Sequence, residues 1–313
     1  MIFLDHQLEI FVTTAEQKSF TRAAELLHIT PSAVSLSIKA LEKKLDTKLF
    51  DRNNKYVQLT KSGQIVYTQA KEILLKYDHM RHLLSELEPS INISLSIGAA
   101  YTFGEYFLPS IIYAFNKRHS SIIPDITIHN SKTITDQVQK QELDIGFIVR
   151  SEIGDISDVD IFPFYEDNLV IVARPDHPIL KSSGIDLDLL EAETWIIREV
   201  GSGTREVTEK FFSQLGISPK KIMSFGSSQT IKESVALGLG ISYLSESIVK
   251  NEIQAGTLGA ISLLEYQNKS SFHYIIHRSQ TQSMAIKQFR EFLDTYTMSE
   301  IASIALKKKI RKG

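Results

Sequence analysis

Cysteine is absent from the 313 residues, which excludes a disulfide framework and thiolate metal sites and fits a reducing cytoplasm. No apolar run is long enough to span a bilayer, so no membrane partner is expected. Met1 to Glu9 carries Asp5 and Glu9 and lacks the basic, apolar, small-residue progression of a secretory signal. An excess of positive charge is missing too: 35 Lys and Arg stand against 37 Asp and Glu, a net charge of −2. This balance argues mildly against nucleic acid as a partner, and any contact with phosphates must be local. Residues 1–60 hold eight basic against seven acidic side chains, so such a contact has to rest on pattern.

Catalytic signatures are also lacking. There is no phosphate-binding loop, dinucleotide fingerprint, nucleophile elbow or His-Glu-x-x-His, and Gly238-Leu-Gly240 is too short to count. His79 and His82 lie one helical turn apart with no third ligand at a convincing spacing; His273 and His277 lie too far apart along a strand to chelate one ion. No enzyme, metal site or cofactor is expected. What remains, 42% hydrophobic and 23% charged residues in a chain of this length, is a globular protein of two or more domains.

Leu8, Phe11, Val12 and Ala15 recur at helical spacing and predict a helix from Asp5 to Gln17. Ser19 can cap a short second helix from Phe20 to Leu27. Thr30 followed by Pro31 is a start signal for a third. In that helix Val34, Ile38, Leu41 and Leu45 form an inward face, and Ser32, Ser35, Leu36, Lys39 and Lys43 form the opposite one. Hydroxyls near a helix start and cations further along suit a major groove, although a solvated face uses the same residue types. The next segment favours the groove. Leu49 to Arg52, the turn-forming Asn53-Asn54-Lys55 and the alternating Tyr56 to Thr60 predict a two-stranded wing, with Arg52 and Lys55 beside flanking phosphates.

From Ser62 to Glu88 the chain reads as one long helix. Val66, Ala70, Ile73, Tyr77, Met80, Leu84 and Leu87 follow alternating spacings of four and three, a heptad seam expected to pair two copies. Beyond residue 91 strands alternate with helices: Ile93 to Ile97, Phe103 to His119, Ile126 to His129, Thr133 to Lys140 and Asp144 to Val149. A second set has strands near Leu169 to Ala173, Trp195 to Arg198, Ile222 to Phe225 and Gly240 to Leu244. This rhythm implies parallel sheet covered by helices, in two lobes with crossovers near Phe162-Pro163 and Leu264-Glu265. The basic tail after Thr297 suits solvent or an added contact with DNA.

Gly201-Ser202-Gly203-Thr204-Arg205 lies between a strand and a helix, where N–H groups and hydroxyls converge on a helix N-terminus, an anion site by dipole and geometry. A tight turn alone would also use both glycines. Ala100, Tyr101 and Thr102 face it from the first lobe. Ser131 after the second strand and Phe147 at the third join the expected effector site; Lys132 and Arg150, after those strands, either add positive charge to it or are simply solvated.

Ser19-Phe-Thr-Arg-Ala-Ala24, Thr30-Pro-Ser-Ala-Val-Ser35, Ile38-Lys-Ala-Leu-Glu42, Leu49-Phe-Asp-Arg52 and Leu59-Thr-Lys-Ser-Gly63 together resemble the LysR-type transcriptional regulators. Ile97-Gly-Ala99, Gly104 to Pro109, Glu142 to Gly146 and Ala236 to Ile241 extend the resemblance over residues 5–295. It implies an α/β multidomain protein: a winged helix-turn-helix (1–60), a coiled-coil linker helix (61–90), a two-lobed, periplasmic-binding-protein-like (type II) effector domain (91–296) and a tail (297–313). Lobe I is expected over about 91–162 and 266–296, and lobe II over about 163–265. Ser19, Arg22, Thr30, Pro31, Ser32, Ser35, Lys39, Arg52 and Lys55 are implied as DNA contacts, and Leu36 stands where relatives often carry Arg. The implied protein is a cytoplasmic homodimer or homotetramer that binds double-stranded operator DNA and a small, anionic co-inducer, with RNA polymerase as a further candidate partner. An enzyme or an extracellular solute receptor would leave the first sixty residues unexplained.

Overall fold

The computed structural model describes residues 4–51, 57–85, 93–150, 154–181, 186–262, 269–280 and 283–296. It forms two compact units, residues 1–91 and 92–313.

In the first unit α1 (Leu4–Gln17), α2 (Phe20–Leu26) and α3 (Pro31–Lys44) are followed by β1 (Phe50–Asp51), β2 (Gln58–Leu59) and α4 (Lys61–Ser85). Ser19 Oγ accepts the Arg22 N–H and Thr30 Oγ1 the Ala33 N–H, satisfying donors that α2 and α3 cannot satisfy internally. Each such cap is worth about 1 kcal/mol. The joints bend at Lys18 and His28, both with positive φ. Phe11, Val34, Ile38, Leu41, Leu49 and Phe50 are buried together, with the Phe50 ring edge-on to Phe11 and Phe20. Leu45 does not join them. It is the C-cap of α3, immediately before Asp46 turns the chain into positive φ, and it is 45% exposed.

The expected linker seam is covered only in part within the unit. α4 packs on α1, so Ala70 is buried and Val66 and Leu74 are partly buried in the same core. Ala70 is therefore taken up inside the unit, and Val66 partly so. Ile73, Tyr77 and Met80, on the same heptad stripe, are exposed. Leu87 and the side chain of Leu84 fall outside the described residues, as do Arg52 and Lys55 of the wing.

The second unit begins with β3 (Ile93–Ala100), α5 (Tyr101–Tyr106), α6 (Leu108–Arg118), β4 (Ile122–His129), α7 (Ser131–Gln139), β5 (Ile145–Arg150) and the long β6 (Val159–Ala173). It continues with α8 (Leu187–Ala192), β7 (Thr194–Arg198), α9 (Gly203–Leu215), β8 (Lys221–Phe225), α10 (Ser228–Ala236), β9 (Ser242–Ser245), α11 (Glu246–Ala255), β10 (Gly259–Ile261), β11 (Lys269–His277) and α12 (Met284–Thr295). The helix expected from Phe103 to His119 is two helices, because Pro109 cannot donate into the preceding turn.

β3 lies parallel between β4 and β5, and β11 joins antiparallel to β5 and β6. Strand β6 serves both lobes. Val159 to Asn168 pairs with β11, and Leu169 to Ala173 pairs with β9 and β10. The first crossover is thus at Asn168-Leu169, not at Phe162-Pro163; the expected Leu264-Glu265 crossover falls outside the described residues. Pro163 fits inside the strand because the register slips opposite it between Phe272 and His273, where a bulge removes the need for its missing N–H. β7 and β8 form a separate parallel pair, bridged to the segment before β9 through Trp195 and Ile241.

Candidate functional site

On α3, Ser32, Leu36, Lys39 and Lys43 are exposed and Ser35 is half-buried, whereas Val34, Ile38 and Leu41 are fully enclosed. Arg22, Thr30 and Pro31 are exposed beside this face, and Ser19 is partly so. The Ser32 hydroxyl lies 2.9 Å from Thr30 Oγ1, so the helix start presents two linked hydroxyls. Leu36 is 68% exposed in the middle of the face. Burying an apolar side chain against a thymine methyl is one of the contacts a major groove offers such a position.

The face is anchored from behind by a residue the pattern did not single out. Glu42, 3% exposed, accepts the N–H groups of Leu49 at 3.0 Å and Phe50 at 3.5 Å and the Lys48 ammonium at 3.0 Å. Thr60 closes the other side: its hydroxyl donates to the Lys48 carbonyl at 2.6 Å and accepts the Gly63 N–H at 2.9 Å, while its own N–H donates to the Leu49 carbonyl at 3.0 Å. A Cβ on Gly63 would collide with that carbonyl. The motif glycine and threonine therefore hold α4 and the wing base against the end of α3.

In the second unit, Thr102 of α5 is buried. Its hydroxyl lies 3.5 Å from that of Thr204 on α9 and 3.3 Å from that of Ser228 on α10. Thr204 and Ser228 belong to the first turns of helices from lobe II, so side-chain hydroxyls and helix N-terminal N–H groups converge at the lobe boundary. Ser202, the N-cap of α9, is 3% exposed and makes no side-chain capping bond. Gly203 permits close approach across the boundary, since a Cβ there would collide with the Val149 carbonyl at the end of β5. Gly201, at φ +90°, presents its carbonyl to the Lys132 N–H at 3.0 Å. Both glycines thus hold the lobes together, which is more than a tight turn requires.

The side chains of the other expected contacts are taken up by neighbours within the domain. Phe147 is fully buried and stacks on Phe103 at 4.3 Å, inside the core of the sheet. Ser131 Oγ accepts the Val149 N–H at 3.1 Å and fastens α7 to β5. Lys132 is an exposed side chain paired with Asp136, and the Arg150 guanidinium donates to the Gly154 carbonyl at 3.4 Å. Arg205 pairs with Glu209 and donates to the Arg198 carbonyl at 3.2 Å. Ala100 is buried and contributes no side-chain cap.

Two buried cations were not anticipated. Arg198, at the carboxyl end of β7, is paired with Glu199 and covered by the Tyr101 ring at 4.9 Å. Lys232 of α10 donates to the Ile248 carbonyl at 3.0 Å and to Glu252 at 2.6 Å, beneath the Tyr106 ring at 4.8 Å. Burial lowers the affinity of Lys232 for its proton, but its bonds to Glu252 and Tyr106 outweigh this and leave the pKa raised. Among the described residues no group of three or more His, Asp or Glu is placed to hold a metal ion.

The profile of bacterial regulatory helix-turn-helix proteins of the lysR family matches residues 6–64, and that of the LysR substrate binding domain matches residues 92–297. The chain belongs to the LysR family. CysL of Bacillus subtilis, an HTH-type transcriptional regulator, is 32% identical over 86% of this chain and 89% of its own length. The RuBisCO operon transcriptional regulator of Acidithiobacillus ferrooxidans is 31% identical over 92% of both chains. Full-length CbnR complexed with target DNA shares the fold, with a TM-score of 0.71 at 18% identity over 93% of this chain and 99% of that one. A full-length OxyR variant from Pseudomonas aeruginosa gives 0.68 at 23% identity over 95% and 96%. As a LysR-family member the chain is a DNA-binding transcriptional regulator, not an enzyme, with a domain that binds a small-molecule effector. No described helix is long and apolar enough to cross a membrane.

Proposed function

We propose that this LysR regulator is switched by a small anion held between the two lobes. The observation that carries this is the convergence of the buried Thr102, Thr204 and Ser228 hydroxyls at the first turns of α9 and α10. Hydroxyl donors and helix N-termini stabilise negative charge without supplying a full positive one, so a compact oxyanion or carboxylate fits better than a cation. Ser202 and Tyr101 complete the site. Operator DNA is read by Ser32, Ser35 and Leu36, with Lys39, Arg22, Arg52 and Lys55 on phosphates and Ser19, Thr30 and Pro31 setting the approach of the helix.

The active species is a homodimer or homotetramer, paired through the exposed part of the α4 seam from Ile73 to Met80. An effector shifts such an assembly only by binding one arrangement better than another, and here that arrangement sets the spacing of paired recognition helices on DNA. At a promoter, RNA polymerase is the further partner. Calorimetry of the full chain against sulfate, sulfite, phosphate and small carboxylates tests the reading. Heat from one of them, lost in the Ser202→Ala, Thr204→Ala double variant, supports it; binding of neutral or cationic ligands alone overturns it.

A further inference from the structure

We propose that Arg198 reads the effector's charge and that Glu199 is an internal stand-in for the effector, holding the guanidinium until an oxyanion displaces it. This rests on the reading of the lobe boundary as an anion site. The Arg198 side chain is 2% exposed, and Nε and Nη2 donate to the two Glu199 carboxylate oxygens at 2.7 and 2.8 Å. That fork matches any group presenting two oxygens on one centre, such as a carboxylate, sulfate or phosphate.

The two partners differ in what they lose by separating. Glu199 keeps 27% of its side chain exposed, so its carboxylate rehydrates once released. Arg198 cannot follow it into water, because it lies at the carboxyl end of a buried strand with the Tyr101 ring of the other lobe across its face. Glu105 also feels the Arg198 charge, but among the described residues Glu199 is the carboxylate hydrogen-bonded to it, and a buried charge needs a hydrogen-bonded partner, so release of Glu199 requires that another anion take its place. The backbone on either side is already fixed. The Arg198 carbonyl accepts bonds from Arg205 Nη1 at 3.2 Å and Ser224 Oγ at 3.3 Å, and the Glu199 N–H donates to the Phe225 carbonyl at 3.2 Å. Only the Glu199 side chain has to swing. Its carbonyl accepts the Ser202 N–H at 3.2 Å, so the swinging residue adjoins the turn that starts α9 and carries the hydroxyl site.

Exchange of one carboxylate for another anion leaves Arg198 paired in both states while changing the group held beside the cation that Tyr101 covers. Effector binding is thereby coupled to the lobe contact rather than added beside it. It also selects against neutral ligands, which cannot replace the charge.

The test is calorimetry of the full chain with sulfate, inorganic phosphate and a small carboxylate, using wild type, Glu199→Gln and Arg198→Lys. Removing the competitor in Glu199→Gln is expected to tighten binding of the preferred anion by roughly tenfold or more, and losing the fork in Arg198→Lys to weaken it by a similar factor, the scale of one charge-assisted two-point contact. Glu199→Gln should also gain more melting temperature than wild type at the same anion concentration. Wild-type binding that Glu199→Gln leaves unchanged or weakens overturns the exchange while the anion reading stands. If neither protein binds any of these anions, the anion reading itself fails. Should Glu199→Gln not fold, Glu199→Asp draws the carboxylate back by one methylene: tighter anion binding supports the exchange and unchanged binding overturns it.

Discussion

Glu42 of the recognition helix accepts the backbone N–H of Leu49, the residue that leads into the wing, at 3.0 Å. With Phe50 and Lys48 as further donors, one buried carboxylate ties the end of α3 to the start of β1. Replacing it by alanine leaves two buried N–H groups without this acceptor. Glu42→Ala is expected to destabilise the first unit by about 2–3 kcal/mol, measured by urea unfolding, and to weaken operator binding because helix and wing lose their common anchor. Wild-type stability in this variant would show that water replaces the carboxylate.

On the exposed face of α3 the polar residues divide by task. Ser35→Ala is expected to relax sequence preference with little change in binding to random DNA. Lys39→Ala should weaken binding to all sequences and reduce the slope of log K against log salt by about 0.9, the signature of one lost phosphate contact. Gel-shift titrations on operator and scrambled duplexes at several salt concentrations separate the two effects, and equal affinity of both variants with wild type refutes the assignment.

The covered and exposed positions of the α4 seam predict opposite outcomes for similar substitutions. Ile73→Glu with Met80→Glu places charges on exposed positions and is expected to give folded monomers by analytical ultracentrifugation. Ala70→Glu, at a buried position against α1, is expected to unfold the first unit by burying an unpaired charge. Retention of the wild-type oligomer by the Ile73, Met80 double variant would move the dimer contact elsewhere.

His273 supplies a pH dependence. It is buried on β11, and burial lowers its pKa below the usual imidazole value. The folded state therefore holds the neutral ring, while the unfolded chain takes up a proton below pH about 6.5. The stability contribution is fully present above that value and declines as pH falls. His273→Leu should flatten the loss of melting temperature between pH 7 and pH 5; an unchanged profile would assign acid sensitivity to other groups.

Much of this protein was legible before its structure because the deciding interactions are local. Ser19 and Thr30 cap donors three residues away, and the inward face of α3 follows from helical period alone. The alternation of strands and helices likewise fixes the kind of sheet. Period does not say which neighbour an apolar residue meets. Ala70 and Ile73 both fit one heptad seam, yet α1 covers the first and leaves the second exposed. Phe147 stands in a strand beside the expected cleft, and the sheet's own core claims it through Phe103.

Residue order by itself determined the capped helices, the recognition face, the α/β rhythm and the family, since each depends on spacings within a few residues or on motifs read along the chain. Tertiary structure alone decided that Thr102 meets Ser228, 126 positions away, and that Tyr101 covers Arg198. It also decided that β6 changes lobes at Asn168 and that Glu42 clasps the wing. Those contacts join segments whose separation along the chain carries no periodic signal, and only packing brings them within hydrogen-bonding distance.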